Sequence, residues 1–433
     1  MDKLLEVKEF DEIIKNSTYK DDNNYKYLEE QPFDSLLQFI QEFTSDEDGA
    51  DILDFMRINQ KRNVGQYIKI KNYVGMIQLK NGYQIQILPK IYLGCDEEDQ
   101  TEETKKIFIR MLQSMKDFPS KVFQNASLNI KKMNLYEIFI NMYLQDVKHL
   151  VKRGLKSNYV RQEDNLNFCK GKLLVNQHIK KNMVHAERFY VSYDEYHPNS
   201  SENKLVKATL LKLLKITTSN ENAKTIRQLL GSFELVDAST NYHSDLSKVH
   251  INRNNREYET LMQWSKVFLM NKSFTTFSGK DNGRALLFPM ERVYESYVAK
   301  YIKQLMIPDG WDVSTQDHGQ YLFEEPEKKF SLHPDIVLKK DGKTIIMDTK
   351  WKRLHSNQNK NYGITQADMY QMYAYSKKYH ASEVWLLYPL NEEMIHYKKD
   401  ISFKSDDVQV NVHFVDLANI ENNLKILKSK INL

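Results

Sequence analysis

HPDIVLKKDGKTIIMDTKWK, residues 333–352, is the stretch whose reading decides the fold. Two short apolar runs flank Asp341-Gly342, a pair suited to a two-residue type I′ turn because both central positions need φ > 0. The runs should pair as a hairpin with Lys340 opposite Lys343. Counting outward with no bulge sets Asp335 opposite Asp348 on one face, with Cβ atoms about 4.5–5.5 Å apart. Lys350 shares that face, about 6.5–7 Å further along the strand. Two carboxylates and an ammonium converge there, while Pro334, Ile336, Leu338, Ile345 and Met347 form the opposite, core face.

Carboxylates this close repel unless one keeps a proton or a cation lies between them. A hard divalent ion such as Mg²⁺ suits an all-oxygen site. It can polarise a phosphodiester and lower the pKa of a water. Lys350 would orient that water or neutralise charge developing on the phosphate. A cluster of surface ion pairs is the competing reading, and a bulge near Pro334 would break the register.

Upstream, PMERVYESYVAKYIKQL (289–305) has apolar residues at 290, 293, 294, 297, 298, 301, 302 and 305, a helical stripe. Glu295 borders the stripe, and Glu291, one turn earlier, is the competing acidic residue. Strand-like segments are expected at 320–324, 331–338 and 344–351, a helix at 365–379 and a buried strand at 382–390. That order makes a small α/β unit. Gln371 and Tyr375 share a face of the later helix. Gln371 is read as functional and Tyr375 as core. Lys352 is read as a phosphate contact or a solvated lysine, and His333 as structural.

Elsewhere, residues 1–60 read as helices with polar loops, one of them at 34–43 behind an Asp34 cap. Residues 64–91 are strand-like, with Asn81-Gly82 as a turn. Helical patterns recur at 103–116, 134–153, 202–231 and 255–271, and 156–200 is mixed and polar. Asp194-Glu195 is expected in a polar turn and Asn203 at a helix cap. Lys148, Lys152 and Arg153 read as a solvated helix face, with DNA or a partner as the alternative. The strand-like run 67–83 is either a half-buried sheet or a partner surface. SFTTFSGKDNGRA (273–285) is the expected linker. Three domains follow: 1–125 (β-containing, partner-binding), 126–275 (mainly helical) and 276–433.

At 433 residues, with 41% hydrophobic and 12% aromatic content, the chain can bury more than one core. A net charge of +4 permits nucleic-acid contact without demanding it. Cys95 and Cys169 are the only cysteines, which excludes a disulfide framework and a cysteine-based zinc site. The 12 histidines show no HxxxH or HExxH spacing. With no apolar run near ~18 residues and no signal-like start, the expectation is a cytoplasmic protein without membrane contact.

Pro334-Asp335, then Asp348-Thr349-Lys350, resembles the PD-(D/E)xK nuclease superfamily, whose core is a mixed sheet in the order αβββαβ. Glu295 matches the acidic residue that many members place on the preceding helix as a further metal ligand. Gln371 and Tyr375 look like the Gln-xxx-Tyr motif of RecB-like members. A narrower resemblance runs from about 60 to 390. YVGMIQLKNGYQIQILPKI (73–91), GLKSNYV (154–160), GKLLVNQHIKKN (171–182), YDEYHPNSSENKLVKATL (193–210), FPMERVYESYV (288–298) and QADMYQMYAYS (366–376) are similar to the McrC family. McrC is the nuclease subunit of McrBC-type, LlaJI-like modification-dependent restriction systems.

The resemblance implies a Mg²⁺-dependent endonuclease, with Mn²⁺ as substitute, cutting double-stranded DNA that carries modified bases. Asp335, Asp348 and Glu295 would bind metal, Lys350 would serve the water or phosphate, and Gln371 would orient the site. The implied partner is an McrB-like hexameric AAA+ GTPase whose hydrolysis this chain stimulates. GTP would act there, and this sequence indeed has no GxxxxGK[ST] loop. The alternatives are a non-catalytic activator of the ring and a stand-alone RecB-like nuclease.

Overall fold

The computed structural model describes residues 3–44, 56–93, 97–119, 133–270, 283–397, 399–405 and 408–431. The chain divides into two compact units, Met1–Leu135 with Ser273–Leu433, and Tyr136–Lys272. Both α-helices and mixed sheets occur, making an α+β protein.

The first unit opens with strands where helices were expected: β1 (Leu4–Lys8), β2 (Glu12–Ile14) and β3 (Tyr25–Tyr27), then α1 (Glu30–Thr44). Pairing overrides the local helical pattern, since β1 lies parallel to a strand eighty residues on, Leu4 against Gln84. Asp34 sits inside α1 and binds Lys15 Nζ at 2.9 Å instead of capping. Next come β4 (Met56–Lys61), β5 (Gly65–Ile70), β6 (Tyr73–Leu79), β7 (Gln84–Leu88) and α2 (Glu97–Leu112). One sheet runs β3-β2-β5-β4. Phe33, Leu36 and Phe39 of α1 pack with Ile68, Ile77 and Ile85 in one core cluster.

The second unit holds α3 (Leu135–Arg153) from its second residue, β8 (Asn158–Leu166), β9 (Lys172–Leu173), α4 (Val175–Asn182), β10 (Phe189–His197), α5 (Ser201–Ile216), α6 (Asn220–Gly231), α7 (Tyr242–Ser247) and α8 (Tyr258–Met270). Its polar stretch folds as an antiparallel sheet, β8-β10-β9. Asp194 and Glu195 therefore lie on a strand, not in a turn. Asn203 is a buried strut, not a cap. It donates to the Lys156 and Pro198 carbonyls at 2.9 and 2.7 Å and accepts from Tyr258 at 2.6 Å. Ser200 caps α5.

The first unit resumes with β11 (Gly283–Pro289), α9 (Met290–Met306), β12 (Asp312–Thr315), β13 (Tyr321–Phe323), β14 (Lys329–Ser331), β15 (Ile336–Lys340), β16 (Lys343–Thr349), α10 (Gln366–Tyr379), β17 (Glu383–Pro389), β18 (Ile401–Ser405), β19 (Val408–Val415) and α11 (Ile420–Ile431). Residues 273–282 of the expected linker, and Cys95, lie outside the described residues. Residues 283–285 of that linker are instead strand, because β11 completes the sheet β1-β7-β6-β11. Gly75 allows that pairing: its φ is 144°, and a Cβ there would sit 1.9 Å from the Leu286 carbonyl oxygen.

The sheet that carries the quoted hairpin runs β12-β15-β16-β17-β19-β18. β16, β17 and β19 are parallel, and the outer pairings are antiparallel. The hairpin closes as expected, with Lys340 against Lys343 and φ of 50° and 78° at Asp341 and Gly342. Two expectations fail. The strand read at 331–338 is broken, since residues 329–331 pair with β13 and β15 starts only at Ile336. The competing reading of a surface ion-pair cluster also fails, because the side that carries Asp348 is covered. Val337 and Ile346, on the side of the two aspartates, pack with Met372, Tyr375 and Tyr379 of α10. Ile336, Leu338, Ile345 and Met347 are buried on the other side, where α9 packs on β12 and β16. Strands with parallel neighbours are covered on both faces. Among the described residues no helix is long and apolar enough to cross a membrane.

Candidate functional site

The ladder of the hairpin stops at Ile336–Met347, one pair short of Asp335 and Asp348. The next hydrogen-bonded pair would be Pro334–Thr349, and proline has no N–H to give. The Asp335 side chain takes over Thr349 instead. Its Oδ2 accepts the Thr349 amide at 2.7 Å and the Thr349 hydroxyl at 2.6 Å. The Asp335 carbonyl accepts the Gln316 amide at 3.0 Å, where Gln316 turns with φ of 50°. So the residue that ends the strand also fixes the first carboxylate.

Asp348 points along the same side from β16 and is 1% exposed. Lys350 Nζ lies 2.6 Å from its Oδ2. That ammonium also donates to Gln371 Oε1 at 3.0 Å, and Gln371 Nε2 donates to the Tyr375 hydroxyl at 2.7 Å. Asp348 of β16, Lys350 just beyond it, and Gln371 and Tyr375 of α10 thus form one chain of contacts. The lysine is held from two sides, which limits its rotamers.

Charge is crowded here. Burial, and then the neighbouring Asp335, push the Asp348 carboxyl up to about 7 despite Lys350. Burial also raises Asp335, opposed by its bonds from Thr349. On α9, burial and then Asp335 push Glu295 up to about 7, while Gln316 Nε2 donates to its Oε1 at 3.0 Å. For Lys350 burial works against the charge, but Asp348 outweighs it and the ammonium is held above its ordinary range. Asp335 and Asp348 share Lys350, and Glu295 has Arg292 as well; burial still keeps these carboxyls raised, and a cation would relieve it.

Among the described residues no three His, Cys, Asp or Glu side chains lie close enough to hold a metal by themselves. Mg²⁺ does not require three, since it is commonly held by one or two carboxylates with waters and substrate phosphate. The donor set fits it: all oxygen, with Asp348 Oδ2 buried and given no well-directed hydrogen bond despite the nearby ammonium. Asp335 and Asp348 are the pair that would hold the ion, with Glu295 alongside.

Other sequence candidates fall outside this group. Glu291 is exposed and accepts from Asn72 at 3.2 Å. Lys352 is tied to Asp368 at 3.0 Å, and Asp368 completes the capping box of α10 with Thr365. The His333 imidazole rests against that of His318. Lys152 and Arg153 are exposed on α3. Sequence reasoning missed two supports. Thr349 sits in the variable position of the motif, and only its hydroxyl hinted at a role. Gln316, which reaches both Asp335 and Glu295, left no signal at all.

A family model described as McrBC 5-methylcytosine restriction system component matches residues 68–389. The fold is similar to the refined half-complex from the tetradecameric assembly of Thermococcus gammatolerans McrB AAA+ hexamers with bound McrC. The TM-score is 0.72 at 20% identity, over 99% of this chain and 100% of that one. A cryo-EM structure of the Thermococcus gammatolerans McrBC complex matches at a TM-score of 0.49 and 22% identity, over 70% of this chain and 87% of that one. No curated protein matches.

Proposed function

Because the chain belongs to the McrBC 5-methylcytosine restriction system component family, we propose that it is the nuclease subunit of such a system, hydrolysing phosphodiester bonds of modified double-stranded DNA with Mg²⁺. The observation that carries this is the cluster of Asp335, Asp348 and Lys350, with Lys350 Nζ 2.6 Å from Asp348. Its setting supports a PD-(D/E)xK core: α9, β12, β15, β16, α10 and β17 follow the order αβββαβ, with β13 and β14 inserted.

Asp335 and Asp348 would hold Mg²⁺, which would polarise the scissile phosphodiester. Lys350 is fixed by Asp348 and Gln371 and held in its charged form, so it acts as a charge and not as a base. It suits the negative charge that grows on the phosphate oxygens. Glu295, at about 7, holds or releases a proton near neutral pH at the edge of the site. Gln371 keeps Lys350 aimed, and Thr349 keeps Asp335 aimed.

The proposed partner is an McrB-like AAA+ GTPase that selects modified DNA and whose hydrolysis this chain stimulates. The support is the similar solved assembly, in which McrC is bound to McrB AAA+ hexamers. The test is cleavage of methylated plasmid by the chain with the neighbouring AAA+ protein, Mg²⁺ and GTP, comparing wild type with Asp348→Ala. Cleavage should vanish in the variant while GTPase stimulation persists. Wild type that stimulates without cutting would make it a ring activator, and cutting without the partner would make it a stand-alone nuclease.

A further inference from the structure

We infer that Glu9 is a positioning residue for the cleavage site, holding the lysine through Trp351 from the far N-terminal sheet; this rests on the nuclease reading above. Glu9 follows β1 and is completely buried. Its backbone amide donates to the Leu88 carbonyl at 3.0 Å, and its Oε2 accepts the Lys90 amide at 3.1 Å. The carboxyl is therefore anchored to the end of β7. Its remaining capacity is directed at one side chain: Trp351 Nε1 donates to Oε1 at 2.9 Å and lies 3.2 Å from Oε2.

Trp351 comes directly after Lys350 and is 5% exposed. Its other neighbour is Tyr294, with ring centroids 5.3 Å apart. Tyr294 in turn directly precedes Glu295. The indole is thus held by Glu9 on one side and by Tyr294 of α9 on the other, and both Trp351 and Tyr294 are adjacent in sequence to a site residue. The Lys350 amide still pairs with β17, donating to the Leu387 carbonyl at 3.0 Å, but the ladder goes no further and β16 ends at Thr349. Beyond that point the indole holds Trp351 to Glu9, beside the bond from the Lys352 amide to the Lys350 carbonyl and the Lys352–Asp368 pair. A shift of Trp351 would move Lys350 away from Asp348 and release Tyr294 beside Glu295.

The burial of Glu9 carries a cost, since a carboxyl out of water is disfavoured unless bonded. Burial pushes it up to about 8, only partly offset by Lys90 and Trp351. A stitch between sheets needs no such group, as apolar packing would serve. An acceptor that both grips an indole N–H and is itself pinned to β7 makes sense as a directional device. It ties the sheet of β1, β7, β6 and β11 to the catalytic lysine.

The test uses the full chain in four forms: wild type, Glu9→Gln, Glu9→Ala and Trp351→Phe. Amide hydrogen exchange is read on peptides covering 346–353, and cleavage with the partner is read as kcat and KM. Glu9→Ala and Trp351→Phe should each raise exchange at 350–352 about tenfold, with other peptides of that sheet unchanged. They should lower kcat about 10–100-fold with KM unaltered. Glu9→Gln keeps one acceptor for the two donors Trp351 and Lys90, so it should fall between wild type and Glu9→Ala in both. Unchanged exchange at 350–352 in Trp351→Phe, or an unchanged kcat in both Trp351→Phe and Glu9→Ala, would overturn the inference. Should Glu9→Ala fail to fold, Trp351→Phe breaks the same bond from the other side and decides alone. Wild type that cuts no DNA would sink the nuclease reading instead, while the exchange data would still settle what Glu9 holds.

Discussion

Asp348→Asn should make the metal-free protein more stable at pH 8 while abolishing cleavage. The carboxyl moves from its ordinary 3.8 to about 7, chiefly by burial and then by Asp335. At about 1.36 kcal/mol per pH unit, the buried charge costs the fold about 4 kcal/mol. The attraction of Lys350 is already contained in that figure. The unfolded chain loses this proton near pH 4 and the folded chain near 7, so the folded state binds more protons in between. Its contribution is whole below pH 4 and is lost as pH rises to about 7. Asparagine has the same shape and no charge. Lys350 keeps Gln371 at 3.0 Å and the charges of Asp335 and Glu295, so it is not stranded. Allowing for relaxation, the variant should exceed wild type by about 2–4 kcal/mol at pH 8 and by about 1 kcal/mol at pH 4.5. Urea unfolding in EDTA at both pH values measures this. Added Mg²⁺ should then stabilise wild type and leave the variant where it was. A variant less stable than wild type at pH 8, or a difference that does not change with pH, would show that Asp348 is an ordinary structural partner of Lys350.

Three further outcomes follow from the geometry. Lys350→Met removes the cation beside Asp348 and Asp335 and should reduce cleavage about 10²–10³-fold, read by single-turnover kinetics, with Mg²⁺ binding retained by calorimetry. Thr349→Val deletes the 2.6 Å bond to Asp335; it should cost about 1.5–3 kcal/mol in urea unfolding and weaken Mg²⁺ binding about 10-fold or more. Gly75→Ala places a Cβ 1.9 Å from backbone that cannot rotate away without opening β6 from β11. It should lose about 3 kcal/mol or more, measured as a lower urea midpoint for the first unit, and normal stability would mean that the two strands do not approach so closely.

The hairpin was legible because its information is local. Asp341-Gly342 sets the turn, the turn sets the register, and the register brings Asp348 to the side of Asp335. Gln371 was legible through i,i+4 spacing with Tyr375, which the structure joins at 2.7 Å. Other parts depended on partners far along the chain. Residues 4–8 look amphipathic in a helical sense, yet β7 was waiting to pair with them. Gln316 acts through its backbone turn and its reach to Glu295, neither of which has a pattern. VQVNVHFV at 408–415 alternates as a strand should; what has no local signal is its place between β17 and β18. Pro334 was flagged for a bulge; it ended the ladder instead, by its missing donor.

The interleaving of the two units has a consequence during synthesis. Tyr136–Lys272 is one continuous piece, so all of its partners within the unit are made together. In the unit around it, β6 waits for β11 and Glu9 waits for Trp351, 342 residues downstream. Such contacts have high sequence separation, so this unit closes late. At ~5–20 residues per second, the nascent chain carries β6 with an open edge for many seconds. Every acidic residue of the candidate site, and its lysine, lies in the last part to be made. The candidate site is therefore complete only when β1 and Glu9 have met the segment that carries Trp351.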